Sequence, residues 1–276
     1  MPTRTSIRQI FCFGFLALML FCPALRAQTS DLVPSDQLRI CADPNNLPFS
    51  NEKGEGFENK IAELLGQDLK LPVSYVWFPQ VMGFVRNTLQ ARRCDLIIGT
   101  VAGDDLVQTT NPYYYTSYVM IYRTDKGLNI TTVADAKLKS LTIGVVAGTP
   151  PSDLLVRHSL MARVHPYALM VDTRYESPTH QMIQDIMDGA VDVGLLWGPF
   201  AGYYVQHDKL PLTIVPLENE PGAPRLDYHI AMGVRANEPD WRRKINEAIL
   251  RQHDAIVAVL KDYGVPLLDE QGKLIQ

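Results

Sequence analysis

The sequence predicts an α/β fold built as two similar halves that face each other across a cleft. Short apolar strands alternate with helical stripes of apolar residues, the pattern of largely parallel sheets covered by helices. Both halves repeat one plan of strand, polar loop and helix. In open α/β sheets ligands collect beyond the carboxyl ends of the strands, so two such sheets face to face define a cleft.

The first half begins with Leu38-Arg39-Ile40-Cys41-Ala42, a short strand that ends in the loop Asp43-Pro44-Asn45-Asn46. Gly54 and Gly56 mark the turn into a helix, with Phe57, Ile61, Leu64 and Leu65 on one face. Val73, Tyr75 and Trp77 alternate with Ser74 and Val76 as a strand. A helix is expected around 81–92, with Phe84, Val85 and Leu89 inward. Residues 95–99 form a near-continuous apolar strand, as expected of a parallel strand buried on both faces.

The second half opens with a buried strand at 141–146, followed by the helix-opening turn 147–153. Met182, Ile183, Ile186 and Met187 stripe a helix that Gly189 ends. Strands follow at 191–196, 212–215 and 229–234. Asn237-Glu238-Pro239-Asp240 starts one long final helix striped by Trp241, Ile245, Ala248, Ile249, Ile256 and Leu260, and Gly264 and Pro266 stop it.

The N-terminus reads as a secretory signal peptide over residues 1–27. Arg4 and Arg8 precede an apolar run from Ile10 to Phe21, Pro23 breaks the run, and Ala27 is a small residue at the exit. The run is shorter than the roughly 20 residues of a spanning helix, so a periplasmic chain that is not membrane-embedded is expected. Net charge is −4 and no Lys/Arg block occurs, which argues against a nucleic-acid partner. Of the 4 cysteines, Cys12 and Cys22 lie in the signal. Cys41 and Cys94 are expected to pair in an oxidising compartment, with two buried thiols as the alternative.

Several strings resemble a known family. Residues 38–43, Leu47-Pro48-Phe49, Gly56-Phe57 and 94–100 are similar to the family 3 extracellular solute-binding proteins. Asn111-Pro112-Tyr113-Tyr114-Tyr115 with Tyr118-Val119-Met120 resembles that family's crossover, and Ile143-Gly144-Val145 with Gly148-Thr149 its second-lobe ligand loop. The strings 42–51, 54–62, 83–89 and Trp197-Gly198-Pro199 resemble one branch, the MxaJ/XoxJ-type proteins encoded with PQQ-dependent methanol dehydrogenases. The resemblance implies a type II periplasmic-binding-protein fold, a Venus flytrap with two crossover hinges near 122–126 and 225–229. Lobe one would take 35–122 plus 228–270, and lobe two 123–227. It further implies a non-enzymatic accessory of a PQQ-dependent alcohol dehydrogenase, binding a partner segment or ligand in or near the cleft. The alternative is a receptor that hands a small polar solute to an ABC permease.

The cleft chemistry departs from the family's amino-acid binders. They clamp the ligand carboxylate with an Arg after the position of Thr100, where this chain has Val101-Ala102-Gly103-Asp104-Asp105. They hold the ammonium with an acid near the crossover back, where this chain has Trp197-Gly198-Pro199-Phe200. An ordinary α-amino acid is therefore not the expected ligand. The candidate contacts are Asn45, Asn46, Phe49, Trp77, Thr100, Tyr113, Gly148, Thr149 and Trp197, with Gly148 and Thr149 as an anion or carbonyl site at a helix N-terminus. Glu55, Glu58 and Asp104 read as solvated surface acids. No His-Glu-x-x-His, Cys-x-x-Cys or Gly-x-Ser-x-Gly occurs, so no metal, cofactor or catalytic residue is assigned.

Overall fold

The computed structural model describes residues 32–275, so the expected signal peptide lies outside the described residues. In chain order the elements are β1 Leu38–Ala42, β2 Asn45–Asn46, β3 Ser50–Asn51, α1 Phe57–Leu69, β4 Val73–Trp77, α2 Phe84–Asn87 and β5 Leu96–Val101. They continue with β6 Gln108–Thr109, β7 Tyr114–Arg123, β8 Ile143–Val146, α3 Pro150–Arg157, β9 Val164–Tyr167, α4 Pro178–Asp188 and β10 Val193–Trp197. The last are α5 Gly198–Gln206, β11 Leu212–Pro216, β12 Asp227–Val234, α6 Pro239–Arg251 and α7 His253–Asp262.

The main sheet runs in the order β4-β1-β5-β12-β7-β10-β8-β9, with β11 also on β7 and β6 also on β12. It is mixed rather than largely parallel. β1 pairs parallel with β4 and β5, and β8 with β9 and β10. β12 pairs antiparallel with β5 and β7, and β7 with β10 and β11.

The expected two sheets are joined through β7. Its first residues, Tyr114 to Ser117, pair with β12, whereas Tyr118 to Tyr122 pair with β10. The strand changes partners at Ser117–Tyr118, and the sheet passes from one core to the next there. On one side, α1, α6 and α7 pack Phe57, Ile61, Leu65, Trp241, Ile245 and Leu260 against β1, β5 and β12. On the other, Met120, Ile143, Val145, Leu154, Leu155 and Val193 form one core, and Ile121, Met182, Ile183 and Ile186 another.

Two helices differ from the expectation. The stretch 81–92 is helical only over Phe84–Asn87, because Gly83 (φ 91°) before it is left-handed and Thr88 (φ −118°, ψ −82°) after it leaves the helical region. The long final helix is broken at Gln252 (φ −98°, ψ 8°), which lets α7 turn and bury Ile256 and Leu260.

Cys41 and Cys94 form a disulfide with a Cα–Cα distance of 5.3 Å. Cys94 lies two residues before β5, and between them the Asp95 N–H donates to the Arg39 carbonyl and draws the chain beside β1. Beneath it lies a buried ionic cluster. Arg39 donates two bonds to Asp95, at 2.5 and 2.7 Å, and Arg235 bridges Asp95 and Glu238 at 2.5 and 2.8 Å. Among the described residues no helix is long and apolar enough to cross a membrane.

Candidate functional site

A cavity of about 590 Å³ opens where the carboxyl ends of β1, β5, β8 and β10 converge, a volume within the range of small-molecule sites. Each strand end delivers a wall. The loop after β1 contributes Asn45, Asn46 and Phe49, β5 contributes Gly99 and Thr100, and the turn after β8 contributes Thr149. β10 ends at Trp197, and α5 begins there with Phe200, whose ring meets Phe49 at 5.1 Å.

Three expected contacts lie elsewhere. Trp77 stacks on Tyr75 at 4.6 Å and packs against the first core. Tyr113 is buried, with its hydroxyl donating to the Ile98 carbonyl at 3.0 Å. Gly148 is exposed in the turn before α3, with φ +78°, and does not line the cavity. The helix N-terminus is also a poor anion site. Pro150 and Pro151 open α3 without N–H groups, the Ser152 N–H donates to the Thr149 carbonyl, and the Thr149 hydroxyl donates to the Val146 carbonyl at 2.6 Å.

The acids need correction too. Glu55 is exposed, with its carboxylate accepting from Asn51 at 2.7 Å. Glu58 and Asp104 instead line the cavity. Asp104 is held by the Thr100 hydroxyl at 3.0 Å and the Leu106 N–H at 2.8 Å. Glu58, in the first turn of α1, lies against β5 with its carboxylate in the space beside Gly99. A Cβ at Gly99 would stand 2.2 Å from Glu58 Oε1. Burial first, and then the Asp43 carboxylate, push the Glu58 carboxyl up to about 8.

Tyr114, Tyr118 and Tyr228 complete the lining beside Trp197. Tyr118 meets Trp197 at 5.0 Å, and Tyr228 lies 5.9 Å from Trp197 and 6.4 Å from Tyr118. Burial pushes the Tyr118 hydroxyl up to about 12, and raises Tyr114 well above the usual tyrosine range. At the mouth, Asp43 accepts from the Asn45 and Gln80 N–H groups and from the Thr173 hydroxyl. Glu58, Tyr118, Thr173 and Tyr228 were not among the expected contacts: Glu58 read as a surface acid, Tyr118 as part of the crossover, and Thr173 and Tyr228 carried no motif. One signal was available for Glu58: a glycine inside an otherwise apolar strand marks a close approach.

Among the described residues the lining holds no Arg, Lys or His, and no group of His, Cys, Asp and Glu could hold a metal ion. Neutral amides, hydroxyls, aromatic rings and carboxylates make up its polar character.

The profile of the bacterial extracellular solute-binding proteins, family 3, matches residues 38–258. Protein MoxJ of Methylorubrum extorquens AM1 is 30% identical over 245 residues, covering 84% of this chain and 81% of that protein. The crystal structure of periplasmic binding protein XoxJ from Methylobacterium extorquens AM1 is similar with a TM-score of 0.73 at 41% identity, over 84% of this chain and 100% of that one. MxaJ from Methlophaga aminisulfidivorans MPT is similar with a TM-score of 0.74 at 29% identity, over the same shares. The fold is that of a type II periplasmic binding protein.

Proposed function

The chain belongs to the family 3 bacterial extracellular solute-binding proteins, and from that premise we propose that it is a non-catalytic periplasmic accessory of a PQQ-dependent methanol or alcohol dehydrogenase system. Its signal peptide, residues 1–27, is removed on export. Lobe one, 35–122 plus 228–270, closes on lobe two, 123–227, by torsion at the hinges 122–126 and 225–229. Asn45, Asn46, Phe49, Thr100, Thr149 and Trp197, with Glu58 and Tyr228, meet the partner segment or ligand.

One observation carries this reading: among the described residues, the cavity of an amino-acid-receptor fold has no cation in its lining to clamp a ligand carboxylate. A carboxylate buried without a partner costs several kcal/mol, so the fold is not used here as an amino-acid receptor. The likeness to MoxJ over 81% of its length, and to XoxJ and MxaJ over the whole of those chains, supports the accessory role. The test is to use the mature chain as bait in periplasmic extract of its own source and to delete its gene. Co-purification of the quinoprotein dehydrogenase and reduced alcohol oxidation are expected. Neither effect appearing would end the proposal.

A second reading, a receptor that delivers a small polar solute to an ABC permease, is favoured by the cavity volume of about 590 Å³. It requires a metabolite that raises the melting temperature and a permease that uses the bound form.

A further inference from the structure

We infer that the cleft seats a small organic cation that carries no carboxylate, an alkylammonium head, with Glu58 as its counter-ion and the rings of Tyr118, Trp197 and Tyr228 as its wall. The inference deepens the site reading above and rests on the cleft being an occupied site.

Charge is the first ground. Three carboxylates line the cavity, Glu58, Asp104 and Glu176, with no Arg, Lys or His among the described lining residues. Asp104 is occupied by its two donors, and Glu176 is exposed at the rim. Glu58 differs from both. It is half-buried, no described side chain donates to it, and Gly99 leaves the space that its carboxylate fills. A carboxyl held in such a place without a donor is completed by a ligand that brings one.

The second ground is the wall. Trp197, Tyr118 and Tyr228 meet at interplanar angles of 63° to 75°, so their faces point in different directions around one region of the lining. Ring faces attract ammonium groups, by about 0.5–1 kcal/mol at exposed sites and about 2 when desolvated. An anion finds no equivalent, since the start of α3 has prolines in place of its first N–H donors. The carboxylate of a zwitterion would find no cation among the described lining residues.

Protonation gives the inference a signature. The ionisable groups that bear on Glu58 are Asp43, the buried Tyr113 and Tyr114, and Tyr75 of β4, whose hydroxyl donates to the Asn59 carbonyl of α1. None is a cation, and burial with the Asp43 carboxylate keeps Glu58 protonated near neutral pH in the empty cleft. A bound cation favours the ionised form, so binding near pH 7 expels a proton.

The test is calorimetric titration of the mature chain with n-butylammonium chloride, with n-butanol as its neutral isostere and glycine as a zwitterion. Butylammonium is expected to bind, and glycine and butanol not. Its affinity should rise about tenfold or more between about pH 6.5 and 8.5 as Glu58 ionises. Titration in buffers of different ionisation heat should show proton release, a readout that needs no variant. Glu58→Gln should weaken binding by about 10- to 100-fold, the loss of a hydrogen bond to a charged group. Butanol binding as tightly, or binding without proton release, would overturn the inference. If no ammonium binds while the dehydrogenase still co-purifies, the inference fails and the accessory role stands. If butylammonium binds with proton release and no dehydrogenase is recovered, the accessory role fails and the cation seat stands.

Discussion

Thr173 Oγ1 lies 2.7 and 2.9 Å from the two carboxylate oxygens of Asp43. Asp43 follows β1 and Thr173 lies between β9 and α4, so the contact joins opposite sides of the cavity mouth. Asn45 Nδ2 adds a second tie, donating to the Thr173 carbonyl at 2.9 Å. Asp43 is 2% exposed and also accepts from two backbone N–H groups, so the loop after β1 is a fixed post against which the 168–177 stretch closes.

Thr173→Val removes the hydroxyl and keeps the shape. The closed form should lose about 1–2 kcal/mol relative to an open one. Small-angle scattering should give a larger radius of gyration for the variant, and protease should cut the 168–177 stretch faster. Identical scattering and proteolysis would show that the contact does not hold the mouth shut.

Asp95 is fully buried between Arg39 and Arg235, and Arg235 also donates to the Leu89 and Cys94 carbonyls. Asp95→Asn leaves two guanidinium groups facing a neutral amide. Removal of one partner from a buried ion pair costs about 3–5 kcal/mol. Urea unfolding should show the midpoint falling accordingly. A loss within about 0.5 kcal/mol, as at an ordinary surface site, would mean that water relieves the charge.

The Cys41–Cys94 disulfide closes a loop with a sequence separation of 53. Loop-closure entropy sets its worth at about 2–4 kcal/mol. The Cys41→Ala/Cys94→Ala chain should remain folded with a lower melting temperature, since both side chains sit among Phe84, Leu89 and Ile97. The same melting temperature for wild type with and without reductant would contradict this.

Where one apolar period spans an element, the sequence was a sound guide. β1, α1, β4 and β5 follow directly from their patterns: α1 buries one stripe, β1 and β5 are near-continuous apolar runs buried on both faces, and β4 alternates. β7 was missed because Tyr114, Tyr115, Thr116, Ser117 and Tyr118 read as a polar, aromatic crossover. The strand is fixed by three partners distant in sequence. α5 was missed for a related reason. Gly198-Pro199-Phe200-Ala201-Gly202 has poor helix propensity, and the helix is held by packing. A Cβ at Gly202 would stand 1.8 Å from the Gly264 carbonyl oxygen, so the glycine lets α5 touch the turn after α7. Wall residues at strand ends, such as Asn46 and Thr100, were legible from topology alone. Glu58 was not, because an acid in the first turn of a helix is normally a solvated partner of the helix dipole. Its place in the cavity depends on Gly99 in another strand.

Glu58 also couples stability to pH, independently of any ligand. In the folded chain its carboxyl keeps its proton up to about 8, whereas its ordinary value is 4.5. Between those values the folded state binds more protons than the unfolded state, so stability falls as pH rises and levels off above about pH 8. Glu58→Gln mimics the protonated acid and cannot ionise. Its stability relative to wild type should therefore increase from about pH 5 to about pH 8 and stay constant beyond. Chemical denaturation of both chains across that range is the check, and contributions from the other carboxylates cancel in the difference. A flat difference would mean that Glu58 is ionised and solvated in the empty cleft. Gly99→Ala gives the converse: its Cβ displaces the carboxylate toward water, so the pH dependence of the Gly99→Ala chain should be shallower than that of wild type.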